Sequence, residues 1–181
     1  MDTKIDFKNP EFYENRELSW IKFDNRVLSE ARDKSIPLLE RLKFVSITSS
    51  NLDEFFMVRV ASLLDMVHAN YKKRDIAGMT ATEQLAAINK ETRELVDTQY
   101  STYTRSLVPL LNKEGIYLVD EHETLTDEQA AFVDRYFMES VYPVLTPMAV
   151  DASRPFPLIR NKTLNIAALL LSKQNSKETV F

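Results

Sequence analysis

The chain has 181 residues, long enough to bury a core, and its 23 basic and 27 acidic side chains leave a net charge of −4 with no basic stripe for nucleic acid. The absence of cysteine excludes disulfides, thiol catalysis and thiolate metal sites, and His68 and His122 as the whole histidine complement make a zinc site unexpected. Two glycines in the whole chain exclude a P-loop and a dinucleotide-binding GxGxxG, so any nucleotide must be held in another way.

The polar start Met1-Asp2-Thr3-Lys4 lacks the apolar region of a signal peptide, and no apolar run is long enough to span a bilayer. A cytoplasmic location is expected, with peripheral membrane association compatible with it. After Asn15, an N-cap type, Leu18, Ile21, Val27, Leu28 and Ala31 recur at helical spacing and predict a helix over residues 16–33. Pro37 suits the first turn of a second helix whose stripe is Leu38, Leu39, Leu42 and Val45 and which runs to about Thr48. Ser49-Ser50-Asn51 predicts a break. A third helix then carries Leu52, Phe55, Phe56, Val60, Leu63, Leu64 and Val67 on one face, with Asp53 and Glu54 in its first turn.

Thr80 with Glu83 reads as a capping box, followed by one long stripe from Leu85 to Leu111 that ends at Gly115. At 1.5 Å per residue such a helix would span roughly 50 Å, which predicts a bridge between two domains, with Pro109 kinking its last turns. Ile116-Tyr117-Leu118-Val119 then reads as a short strand, and Thr126 with Gln129 caps a helix to about Val141. Pro143, Pro147, Pro155 and Pro157 enforce an extended loop. Leu164 to Leu171 is an apolar strand run, Ser172 to Glu178 a hairpin turn, and the return strand is expected to begin at Phe181, a pattern that suggests a truncation there.

Two blocks resemble the amino-terminal signature of the polyphosphate kinase family. They are Asn15-Arg16-Glu17-Leu18-Ser19-Trp20-Ile21-Lys22-Phe23 and Pro37-Leu38-Leu39-Glu40-Arg41-Leu42-Lys43-Phe44, the latter continuing through Ser49-Ser50-Asn51-Leu52-Asp53-Glu54-Phe55-Phe56-Met57-Val58-Arg59-Val60. A third block, from Leu145-Thr146-Pro147 through Arg154-Pro155-Phe156-Pro157 to Leu164-Asn165, is similar to the family's next domain. The resemblance implies a mainly α chain: a helical amino-terminal domain over residues 1–108, followed by the start of an α/β (α+β) head domain over 109–181. It implies reversible transfer of the ATP terminal phosphate to inorganic polyphosphate through a phosphohistidine, supported by Mg²⁺. It also implies that carboxy-terminal domains absent from this sequence perform that transfer. No catalytic residue or metal ligand is expected here, the 1–181 chain alone is expected to be inactive, and the enzyme is expected to be a homodimer or homotetramer.

One residue carries over from the resemblance: Asn51, which stands where the family contacts the adenine end of ATP or ADP. Its amide offers the donor and acceptor that an adenine edge needs, and it is equally suited to cap a helix beginning at Leu52. In that second case the chain is a helical scaffold or dimerisation module without nucleotide contact. Asp53 and Glu54 resemble a catalytic pair, but successive helical positions diverge by about 100°. Trp20, Phe23, Phe55 and Phe56 suit a core or a base-stacking wall. Arg154, Arg160 and Lys162 form a basic cluster that suits polyphosphate, a partner surface or plain solvent. The family commonly carries His where Arg154 stands, and Gly where Ser62 stands. His68 and His122 match no nucleophile motif and read as ordinary surface residues.

Overall fold

In the computed structural model, which describes residues 6–151, 153–171 and 178–180, the first helix begins where the sequence places its cap. Asn15 is extended, and its side-chain oxygen accepts from the backbone N–H groups of Glu17 and Leu18, satisfying two donors that a helix start leaves open. Helix α1 then runs Arg16–Arg32. Its buried residues are Glu17, Ile21, Asp24, Leu28 and Ala31, a single stripe at intervals of four and three.

Helix α2 is Leu38–Phe55, a π-helical segment covers Phe56–Val60, and α3 is Ala61–His68. Phe55, Phe56, Val60 and Ala61 all have right-handed helical torsions, so the chain does not leave the helix between Leu38 and His68. The break expected at Ser49-Ser50-Asn51 is absent, and with it the cap expected of Asn51. The physical reason lies in where the polar side chains bond. Asn51 is drawn across to Asp24 on α1, and Thr48 bonds back to the carbonyl of Phe44, so neither contests the backbone of the following turn.

Helix α4 is Ala81–Thr102 and opens on the expected capping box: Thr80 Oγ1 accepts from Glu83 N–H at 3.3 Å and Glu83 accepts from Thr80 N–H at 2.7 Å. Thr80→Ala removes half of this reciprocal pair, and we expect a loss of about 1 kcal/mol in urea unfolding. The helical run continues as a π-helical segment at Tyr103–Leu107 and α5 at Val108–Lys113. Pro109, which has no N–H to donate and whose ring crowds the preceding turn, is the second residue of α5, just after the wider π-helical segment. The run ends at Gly115, whose φ of +79° lets Ile116 N–H reach back to the carbonyl of Leu111 at 2.9 Å.

Helix α1 packs on α2 and α4, and α3 packs on α4. Ile21, Leu28, Leu52, Phe55, Leu63, Ile88 and Leu95 form the shared core. The chain divides into two units, Met1–Leu118 and Val119–Phe181. In the second, Thr126 and Gln129 form the expected capping box of α6, Asp127–Tyr136, which continues as a π-helical segment at Phe137–Val141. Strand β1, Leu169–Leu171, pairs antiparallel with β2, Glu178–Val180, with Leu170 opposite Thr179.

A mainly α chain followed by the first strands of a second unit is therefore the observed class. Two strand expectations need correction. Residues 116–119 are exposed and pair with no strand among the described residues, so their backbone donors have no ladder to enter. Of the apolar run from Leu164, only Leu169–Leu171 enters a ladder. Of the turn expected over Ser172 to Glu178, residues 172–177 lie outside the described residues, as does Phe181, while Glu178 already belongs to the return strand, formed at Glu178–Val180. Among the described residues no helix is long and apolar enough to cross a membrane.

Candidate functional site

The two acids on the buried stripe of α1 organise the ground beneath a cleft of about 420 Å³ between α1 and the end of α2. Asp24 is 0% exposed. Its Oδ1 accepts from Asn51 Nδ2 at 2.8 Å, and its Oδ2 is buried with no partner among the described residues. Burial pushes the Asp24 carboxyl above its ordinary value, and the bond from Asn51 pulls the other way. An ionised carboxylate only accepts, and with Asp24 in that form the Asn51 amide turns its NH₂ toward it, as the bond from Nδ2 shows. Its Oδ1 is then left on the other side. Asn51 is half-buried and lines the cleft, and that oxygen takes no bond from the described residues.

The cleft wall is aromatic. Trp20 and Phe55 stack with centroids 4.3 Å apart and planes 5° from parallel; Phe55 belongs to the core, and Trp20 is half-buried. Phe23 is 48% exposed and lines the same cleft, with the Arg26 guanidinium 5.9 Å from its ring centroid. Phe56 is exposed on a different groove, so the four aromatics divide between core and surface.

Glu17 lies at the rim, almost wholly buried, and both its oxygens accept from Arg59 Nε, at 3.2 and 3.1 Å. Arg59 Nη2 also bonds Glu17, and Arg16 adds a contact at 3.2 Å. The charges lining the cleft are Arg16 and Arg59 against Glu17 and Glu54, which cancel. A net-neutral cleft with an exposed ring and an open amide acceptor suits a flat, uncharged heteroaromatic group better than a polyanion.

Asp53 and Glu54 part company as their helical positions require. Glu54 lines this cleft, whereas Asp53 lines a larger, mainly apolar groove of about 720 Å³ formed by α2 and α4 with Leu42, Leu52 and Val96. His68 is the exposed last residue of α3, and exposed His122 lies 3.1 Å from Asp134, so neither belongs to the cleft. Among the described residues no three His, Cys, Asp or Glu side chains are grouped to hold a metal ion.

Arg154, Arg160 and Lys162 are all exposed and lie in the second unit. Arg154 follows Asp151, whose carboxyl is held below its ordinary value chiefly by the Ser153 hydroxyl and N–H, with a smaller pull from Arg154. Arg160 is fixed through its carbonyl, which accepts from Thr163 Oγ1 at 2.7 Å, and Lys162 occupies a turn with φ of +58°.

The sequence reading passed over Asp24, Glu17 and Arg59. Asp24 did carry a signal, since it falls on the buried stripe between Ile21 and Leu28, where a carboxylate is out of place unless bonded. The pairing of Glu17 with Arg59 spans 42 residues and leaves no local trace.

Comparison with known proteins gives consistent matches. A family model described as the polyphosphate kinase N-terminal domain matches residues 13–119, and one described as the polyphosphate kinase middle domain matches residues 128–181. A polyphosphate kinase of Lactiplantibacillus plantarum is 51% identical over 177 residues, covering 98% of this chain and 24% of that protein. One of Bacillus anthracis is 49% identical over 175 residues, covering 96% and 25%. The crystal structure of polyphosphate kinase from Porphyromonas gingivalis superposes with a TM-score of 0.76 at 30% identity, covering 92% of this chain and 24% of that one. The chain thus spans about a quarter of the length of these relatives.

Proposed function

We propose, from the premise that this chain belongs to the polyphosphate kinase family, that its helical unit supplies one wall of an ATP site. In this reading the whole enzyme reversibly transfers the ATP terminal phosphate to inorganic polyphosphate. The cleft between α1 and α2 takes the adenine, Asn51 Oδ1 accepts from its amino group, and Phe23 lies along the ring. The observation that carries the reading is the Asn51 acceptor, left open over an aromatic cleft of balanced charge. The neutral rim suits the base rather than the triphosphate. Phosphoryl transfer, the phosphohistidine and Mg²⁺ are assigned in this reading to parts of the enzyme beyond these residues.

The second unit is assigned to assembly as a cytoplasmic homodimer or homotetramer. Leu158, Leu164 and Ile166 are 97%, 95% and 87% exposed, apolar side chains that other protein or the remainder of a longer chain would cover. Arg154, Arg160 and Lys162 border it in sequence and are candidates for a partner or polyphosphate contact.

The test is Asn51→Ala in the full-length enzyme. Loss of one neutral hydrogen bond to the base raises the KM for ATP about tenfold, while the KM for polyphosphate stays within about twofold. An unchanged KM for ATP would leave the helical unit as a scaffold without nucleotide contact.

A further inference from the structure

Asp24 is a buried acid to which the binding scheme above gives no role. It is 0% exposed on the apolar stripe of α1, and one of its two oxygens has no partner among the described residues. A leucine in its place would extend the stripe from Ile21 to Leu28 without that unmet oxygen, so the carboxylate weakens the core in which it sits. What it does provide is a fixed acceptor 2.8 Å from Asn51 Nδ2.

An amide alone on a cleft wall is ambiguous. A half-turn about its last bond exchanges donor for acceptor at little cost, and the cleft would then welcome a base carrying either an amino or a carbonyl group at the facing position. A carboxylate behind the amide removes one of the two states, because Oδ1 turned toward Asp24 would set two acceptors against each other.

We propose that Asp24 is a positioning residue for nucleobase choice: by holding the NH₂ of Asn51 it presents Oδ1 to the cleft, selecting 6-amino purines and rejecting 6-oxo purines. The inference rests on the reading that Asn51 faces the base. With an amino group opposite, Oδ1 accepts a hydrogen bond. With a carbonyl oxygen opposite, two acceptors meet in a partly dry cleft, which is how a polar site discriminates most strongly.

The proposal is tested in the full-length enzyme with ATP, GTP and inosine triphosphate as phosphate donors. The unmodified enzyme is expected to prefer ATP over inosine triphosphate, which carries a 6-oxo group in place of the 6-amino group, by at least about tenfold in kcat/KM. Equal use of the two would overturn the proposal without any variant. Asp24→Asn keeps the shape but can itself donate to Asn51 Oδ1, which frees the amide to turn. The preference for ATP over both 6-oxo nucleotides is then expected to fall about tenfold, mostly through KM, while the KM for polyphosphate holds. If Asp24→Asn lowers Tm but leaves the ATP preference intact, Asp24 is structural only and the proposal fails. Asn51→Ala separates this from failure of the underlying reading. If it leaves the KM for ATP unchanged, Asn51 does not face the base; if it raises that KM while Asp24→Asn keeps the preference, only the positioning role is wrong.

Discussion

Leu95→Ala lowers the unfolding free energy of the helical unit by about 3 kcal/mol, because truncation of a sealed leucine removes its transfer energy and leaves a void that helix packing closes only in part. Leu95 is 0% exposed in α4 and belongs to the cluster that also holds Leu28, at 0%, and Ile88, at 1%. Helix α4 packs on both α1 and α3, so a void at this level loosens two contacts of α4 together. Urea unfolding followed by far-ultraviolet circular dichroism measures the loss. Leu64→Ala is the control: that residue is 43% exposed on α3, and the change costs under about 1 kcal/mol. Equal losses at the two positions would mean that the core does not pass through Leu95.

The helices were legible because their signals are local. The caps at Asn15, Thr80 and Thr126 each bond to backbone within three residues, and the apolar stripes of α1 and α4 repeat within one turn. The failure at Ser49-Ser50-Asn51 has the opposite cause. Composition there favours local bonds that end a helix, but the competing bond comes from Asp24, 27 residues away, and a partner that remote is invisible to a window of neighbours. The same holds for the strand expected at residues 116–119, since β structure depends on a partner that local sequence does not name.

The candidate site divides along the same line. Asn51 was found by resemblance and given two roles, cap or base contact, that local chemistry could not separate. Its place inside α2 removes the first. The remaining features, a free acceptor, an exposed Phe23 and a rim of balanced charge, arise only when α1 lies beside α2. The buried stripe of α1 could have said more than it did. Acids at positions 17 and 24, in step with Ile21, Leu28 and Ala31, are charges inside a packed face, and a buried charge implies a partner. Read that way, the stripe asks for a cation and a donor on the facing helical run, and Arg59 and Asn51 answer it.

That pairing supports the second large effect. Arg59→Leu is expected to cost about 2 kcal/mol, because the damage is not the lost attraction but the buried Glu17 left behind. The Glu17 side chain is 7% exposed, whereas that of Arg59 is 38% exposed, so the arginine would solvate readily on its own and the carboxylate would not. Arg16 remains to hold one carboxylate oxygen at 3.2 Å, but its own side chain is 75% exposed, which keeps its contribution under about 1 kcal/mol. This limits the loss to less than a fully stranded charge would cause. Two further variants separate repulsion of a stranded charge from simple loss of packing. Arg16→Ala alone should cost under about 1 kcal/mol, and Glu17→Leu combined with Arg59→Leu should be more stable than Arg59→Leu alone, since the double change removes the buried charge with its partner. Equilibrium urea unfolding of the unmodified protein and these three variants makes the comparison. If the double variant is no more stable than Arg59→Leu, Glu17 is not stranded in the single variant, and the arginine acts through the packing of its alkyl stem.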